Sequence, residues 1–291
     1  MEEFINSRSA ADGISGKGFT ILERKKFLVC VDSDGCAMDT MDSKHKLCFG
    51  PEMVKAWGLQ EHGKEVLDIW NRISLYSETR GINRFPGLEK TLQACRERGF
   101  IQEDFSALSR WLESAEGYSN GTLARAIEET GDPFLKKVLS WSENVNQAIR
   151  ELPESYPFAG VKETLQYMGS YADLAVVSSA NREAVEGEWT RHGMIGLVKE
   201  VLAQDSGSKA ACIGRLLEEG YEKDHVLMIG DAPGDGKAAD KNGVLFYPVV
   251  IRKEEGSWKR LKDEGFQRFL DGTYRGDFQS ELLEEFHAAL R

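Results

Sequence analysis

The sequence predicts an α/β fold, a doubly wound parallel sheet carrying an inserted all-helical domain, and three observations support that expectation. Phe27, Leu28, Val29 and Val31 make the stretch from Lys26 to Asp32 almost continuously apolar, as parallel strands covered on both faces tend to be. From about residue 50 to 151 no convincing strand occurs and helical stripes take over. Strand-like runs then return in "ADLAVVSSA", "GLVKEVLA", "DHVLMIGDA" and "GVLFYPVV", each next to a helical segment, which is the alternation of a doubly wound sheet.

Taken in chain order, "MEEFINSRSAADGISGKGFT" is polar and lacks the basic-then-apolar order of a secretory signal, so residues 1–22 read as an N-terminal tail. The first strand follows and stops at two acids. In the helical insert, "GKEVLDIWNRISLYSE" places Val66, Trp70, Ile73 and Ser77 on one stripe, and "DPFLKKVLSWSENVNQAI" behaves similarly. "FPGLEKTL" at 85–92 and "FAGVKETL" at 158–165 look alike. The preferred reading is not a duplicated unit but two turn-plus-helix starts, each using Gly before an amphipathic run. "QSELLEEFHAAL" reads as a terminal amphipathic helix with a solvated charged face. The expected division is therefore an α/β core formed by residues 23–41 and 158–291, with a helical insert over 42–157.

Composition narrows the function classes. With 291 residues and 41% hydrophobic content, the chain can build two modules. A formal net charge of −11 argues against broad nucleic-acid binding, which rests on Lys and Arg neutralising phosphates, but leaves room for a small charged metabolite in a local pocket. The five cysteines, Cys30, Cys36, Cys48, Cys95 and Cys212, are odd in number and include no CxxC pair, so reduced thiols in a cytoplasm are expected. No stretch approaches a transmembrane span, and nothing indicates an oligomeric state.

The candidate chemistry follows from position. Ligands of open α/β sheets sit outside the carboxyl ends of the strands. Asp32 and Asp34 follow the first strand, Ser178 and Ser179 follow "LAVV", Asp231 and Asp235 follow "VLMIG", and Lys209 precedes the helix "AACIGRLLEE". Acids, hydroxyls and one cation thus converge from distant parts of the chain. Taken alone, Asp32 and Asp34 could equally form a turn or a helix cap, and Ser178 or Ser179 could cap a helix beginning near Asn181. Other motifs fail: "GDAPGDGKA" has the wrong spacing for a phosphate loop and Ala238 follows Lys237. Two Ser-x-x-Lys matches, Ser43 with Lys46 and Ser206 with Lys209, lack companion motifs, and the five histidines show no metal-ligand spacing.

In order and spacing, "VDSDG", "VVSSA", Lys209 and "GDAPGD" resemble the four motifs of the haloacid dehalogenase superfamily, most of whose members are magnesium-dependent phosphatases. The resemblance spans residue 27 to about 245, and the insert looks like that family's helical cap of the first insertion type. It implies Mg²⁺ held by Asp32, Asp231 and the Asp34 backbone carbonyl, with Asp235 acting through water or as an outer acceptor. It also implies an aspartyl-phosphate on Asp32, Asp34 as general acid and then base, Lys209 as charge neutraliser and Ser178 as a phosphoryl contact. Physical chemistry agrees, because a carboxylate attacks an anionic phosphoryl group only with strong positive compensation, which Mg²⁺ on hard oxygen ligands supplies.

The family's carbon–halogen cleaving branch lacks an acid at the position of Asp34, so phosphate-ester hydrolysis or phosphoryl transfer is favoured. The expected activity is hydrolysis of a small phosphorylated metabolite. A phosphomutase is the near alternative, and a non-catalytic phosphate-binding or phosphoaspartyl signalling module is the rival from another class. Substrate choice is expected in the insert, where Lys44, Arg80 and Arg84 could meet an anionic leaving group, with Ser179 near the phosphate. Cys36 departs from the Thr or Val of many relatives, and packing is expected of it.

Overall fold

The computed structural model describes residues 24–291, so the tail expected over 1–22 lies outside the described residues. Five strands, β1 (Phe27–Val31), β2 (Ala172–Val177), β3 (Glu200–Leu202), β4 (Val226–Gly230) and β5 (Leu245–Pro248), form one parallel sheet in the order β3-β2-β1-β4-β5. All four pairings are parallel, with Val31 level with Val176 on one side and with Ile229 on the other. The continuous apolar runs have the reason expected of them. Val29, Val31, Leu174, Val176, Leu227 and Ile229 pack into a core on one face. Leu28, Cys30, Ala175, Val177, Val226 and Met228 pack into a second core on the other.

Helices cover both faces. Val161–Gly169 precedes β2, while Arg182–Arg191, Lys209–Leu217 and Pro233–Asn242 connect the later strands, and Asp277–Ala289 closes the chain. That last helix buries Phe278, Leu282 and Phe286 and leaves its charged face outward, as its pattern predicts.

Between β1 and β2 the described residues are helical, with Gly63–Ser74, Arg84–Glu97, Ser106–Ser114, Asn120–Thr130 and Pro133–Arg150 as the main elements. Their starts are written locally. Asn83 accepts from the Phe85 amide, Ser119 from the Thr122 amide, and Asp132 from the amides of Phe134 and Leu135 just ahead of Pro133. This insert has its own apolar core, in which Trp70 and Trp141 meet edge to face at 5.9 Å.

Two local expectations are corrected. The Trp70 helix ends at Ser74, so Val66 and Trp70 face the core, Ser74 takes the next buried position, and Ser77 falls in the turn beyond. The two look-alike segments also differ. Gly160, with φ +84°, does start the helix Val161–Gly169, whereas Gly87 lies inside a helix that Asn83 has already opened. At Gly87 the missing side chain serves packing, since a Cβ there would sit 3.3 Å from Ile82.

The strand order is what positions the site. The chain lays β1, β2 and β3 in one direction and then crosses to β4 and β5 on the other side of β1, so its direction reverses between β1 and β4. Crevices at such reversals, at the carboxyl ends of the strands, are where α/β sheets hold ligands.

Candidate active site

Asp32 and Asp231 flank that crevice, each one residue past the end of its strand. The Asp32 amide donates to the Ile229 carbonyl at 2.9 Å, carrying the β1–β4 ladder one step past the strand end. The chain then winds tightly: the Ser33 carbonyl accepts from the amides of Cys36, Ala37 and Met38, and Gly35, with φ +79°, turns beneath Asp231. A Cβ on residue 35 would lie 2.6 Å from Asp231 Oδ2, so only glycine lets the two strand ends approach this closely. On the β4 side, Asp235 closes its own turn by accepting from the Ala232 amide at 3.0 Å.

Carboxylate oxygens of Asp32, Asp231 and Asp235 gather within 4.8 Å of one another, all three residues buried. Lys209, at the start of its helix, donates to Asp235 and lies 2.9 Å from Asp32 Oδ1 in an ion pair not aligned as a hydrogen bond. Arg80, from the turn after the helix Gly63–Ser74, donates through Nε to Asp231 Oδ2 at 2.8 Å and to the Asp231 carbonyl at 3.1 Å, and places Nη2 2.7 Å from Oδ2.

The electrostatics are those of an under-compensated acid cluster. Burial, opposed by Lys209 and reinforced by Asp235 and Asp231, pushes the Asp32 carboxyl well above the ordinary carboxylate range. Burial also raises Asp231, against the pull of Arg80. Lys209 is held protonated, because Asp235 and Asp32 outweigh the cost of its burial. Asp231 Oδ1 is buried without a hydrogen-bond donor among the described residues, and Asp32 Oδ1 is buried with only the Lys209 ion pair on it. Two such under-partnered carboxylate oxygens, hard and anionic, beside a third carboxylate suit Mg²⁺. The donor set therefore fits such an ion: Asp32 and Asp231 would supply the ligand oxygens. Asp235 has both of its oxygens engaged by Lys209 and the Ala232 amide.

Asp34 stands apart from this cluster. Its Oδ1 accepts from the Thr40 hydroxyl at 2.7 Å and from Lys44 at 2.8 Å, and Lys44 reaches Glu188 at 3.3 Å. Burial alone would raise Asp34, but the Lys44 charge and the two hydrogen bonds outweigh it and hold the carboxyl below its usual range. Lys44 is correspondingly held protonated by Asp34 and Glu188 despite burial.

Of the remaining expected residues, Ser178 is buried one step past β2, where its hydroxyl accepts from the Ala180 amide at 3.2 Å, while Ser179 is exposed. Neither serine caps the next helix; Asn181 does, accepting from the Ala184 amide. Arg84 is not brought to the acids. Its Nη1 donates to Ser142 and Asn146 within the insert and its guanidinium lies 4.8 Å above the Phe49 ring, where burial pushes its pKa down to about 10. Cys36 is buried, with its carbonyl accepting from the Trp258 indole at 2.8 Å, which is a packing role.

Thr40 and Glu188 contribute to the site without a sequence signal of their own. Glu188 sits on a helix 144 residues from Lys44, and Thr40 lies in an irregular loop. Trp189, beside Glu188, donates its indole N–H to the Ser33 hydroxyl at 2.9 Å and so holds the loop between the two motif acids.

Among curated proteins, no sequence relative matches the chain. Several solved structures align with the chain at low identity. A predicted phosphoglycolate phosphatase from Haemophilus somnus aligns at 19% identity over 76% of this chain and 84% of its own, with a TM-score of 0.49. A haloacid dehalogenase-like family hydrolase from Streptococcus pneumoniae aligns at 11% identity over 89% and 98%, with a TM-score of 0.43. A third such hydrolase, from Xanthomonas campestris, aligns at 12% identity over 78% and 83%, with a TM-score of 0.42. The family model described as haloacid dehalogenase-like hydrolase matches residues 89–249. That span includes Ser178, Lys209, Asp231 and Asp235 and exceeds half of the chain, and on this match the chain belongs to the haloacid dehalogenase-like hydrolase family.

Proposed function

We propose that this hydrolase cleaves the phosphate monoester of a small metabolite through an aspartyl-phosphate on Asp32, with Mg²⁺ as cofactor. The observation that supports this most directly is the gathering of buried carboxylate oxygens of Asp32, Asp231 and Asp235, in which Asp231 Oδ1 has no donor and Asp32 Oδ1 meets only the Lys209 ammonium. Mg²⁺ bound there would neutralise the carboxylates and polarise the phosphoryl group. Asp32 then attacks phosphorus through a carboxylate oxygen, the ester P–O bond breaks, and the leaving oxygen takes a proton from Asp34. Water, giving a proton to Asp34, attacks the same phosphorus, and inorganic phosphate leaves as the Asp32 carboxylate is restored. Lys209 holds its proton throughout and faces Asp32, where it offsets the charge of nucleophile and phosphoryl oxygens. Ser178, one residue past the neighbouring strand β2, donates its hydroxyl to a phosphoryl oxygen.

In the conformation described, Asp34 is paired with Lys44 and Thr40, which stabilises its anion and thus the form of a general base. Its turn as general acid requires release from Lys44. The helical insert, which contributes Lys44 and Arg80, is the natural place for such rearrangement and for recognition of the leaving group.

The deciding measurement is phosphate release from a panel of sugar phosphates, nucleotides and small phosphoesters, with and without chelator, for the wild type and Asp32→Asn. The expected outcome is Mg²⁺-dependent release that chelator abolishes and the substitution lowers by about a thousandfold or more. Release that persists in Asp32→Asn would sink the phospho-enzyme route.

A further inference from the structure

We propose that Arg80 is a resident counter-ion of the metal carboxylates, exchanged for Mg²⁺ when the metal enters and received by a neighbouring acidic cavity. This rests on the magnesium reading above and adds to it a competitor supplied by the chain itself.

The pair is built in. The Arg80 side chain is 3% exposed and that of Asp231 1%, and Asp231 is the one carboxylate within ion-pair distance of Arg80 among the described residues. Residue 35 carries no side chain where a Cβ would lie 2.9 Å from Arg80 Nη2, so the guanidinium passes over glycine to reach Asp231. Its Nη1 is tied to the Leu75 carbonyl at 2.9 Å, linking the clamp to the end of the Trp70 helix.

Charge supplies the competition. Asp32, Asp231 and Asp235 carry three negative charges, and Lys209 and Arg80 return two, leaving one net negative charge. A divalent ion added to the intact pair would reverse that to one net positive charge in a buried site, whereas release of Arg80 restores neutrality. Two cations that share one buried carboxylate weaken each other, and the effect is reciprocal.

The structure also provides a destination. Arg80 walls a cavity of about 200 Å³ whose lining includes Asp39, Asp42 and Glu254. Asp42 is engaged by Lys46 and Tyr76, and Glu254 accepts from the Arg252 amide. Asp39 and Glu254 have no ion-pair partner among the described residues, which leaves them as the carboxylates able to take the guanidinium. At the same cavity Arg252, the described non-glycine residue with positive φ (62°), stacks 4.6 Å over the Tyr76 ring.

The test is calorimetric titration of Mg²⁺ into wild type and Arg80→Gln, read as binding rather than turnover. The expected result is affinity about tenfold or more tighter in the variant. Equal or weaker binding by a folded R80Q would overturn the exchange while leaving the magnesium site standing. Failure of both proteins to bind Mg²⁺ would overturn the magnesium reading, and the exchange with it. Amide hydrogen exchange on wild type tests the same idea without a variant: residues 75–82 should exchange faster with Mg²⁺ than without, and unchanged or slower exchange there would contradict it.

Discussion

Asp34 shows how one neighbour decides the protonation state of a residue. With its carboxyl buried, it would ionise reluctantly, yet Lys44 and Thr40 hold it below the ordinary carboxylate range. The sign for stability follows directly. A depressed folded-state pKa contributes stability that is fully present above the unfolded value near 4 and is lost as pH falls through the folded value. Thermal melts of wild type and Asp34→Asn between pH 7 and pH 2.5 should therefore show a wild-type advantage at neutral pH that shrinks below about pH 4. A gap that stays constant across this range would mean that Asp34 gains nothing from ionisation in the fold. The same contact has a functional side, since a carboxylate that must alternate between acid and base needs a partner it can leave.

Among the elements, the clearest difference is between the two segments that look alike in sequence. The helix Val161–Gly169 starts at a left-handed Gly160 with no atom within 4 Å of where a Cβ would stand, so space is not limiting and only backbone conformation is. Gly160→Ala should cost about 1 kcal/mol in urea denaturation, with a folded, active product. No loss would mean that the turn relaxes out of its positive φ. The helices of the insert depend less on local signals of this kind than on a shared aromatic interior. Phe49, Trp70 and Trp141 contact one another across three separate helical segments, which keeps Lys44 and Arg80 attached to a firm scaffold.

For the whole molecule, the two faces of the sheet and the interior of the insert account for the cysteines. All five are free and buried, and burial raises the thiols of Cys30, Cys36, Cys48, Cys95 and Cys212, Cys95 to about 11. A thiol that is both inaccessible and protonated is a poor nucleophile. The native protein should show almost no reaction with a disulfide reagent over minutes, and five titratable thiols once unfolded in urea. Rapid reaction of one thiol in the native state would identify a site of local opening. No helix among the described residues is long and apolar enough to cross a membrane, in keeping with cores that are internal to each module.

The sequence by itself determined the strands, because their backbone conformation is written in local runs: all five strands fall inside the stretches that predict them. It also located the acids, because residues that end strands in an open α/β sheet share one edge wherever they lie along the chain. The helical nature of residues from about 50 to 151 was legible for the same reason, while Ser77 and Gly87 were misplaced because a helix boundary one turn away decides their surroundings. Only the tertiary structure decided which charges meet. Lys44 joins Asp34 to Glu188 across 144 residues, and Arg80 reaches Asp231 across 151. Such pairs leave no periodicity in the sequence. They follow from the docking of one packed module on another, which is set by the shapes of both cores rather than by the residues that end up in contact.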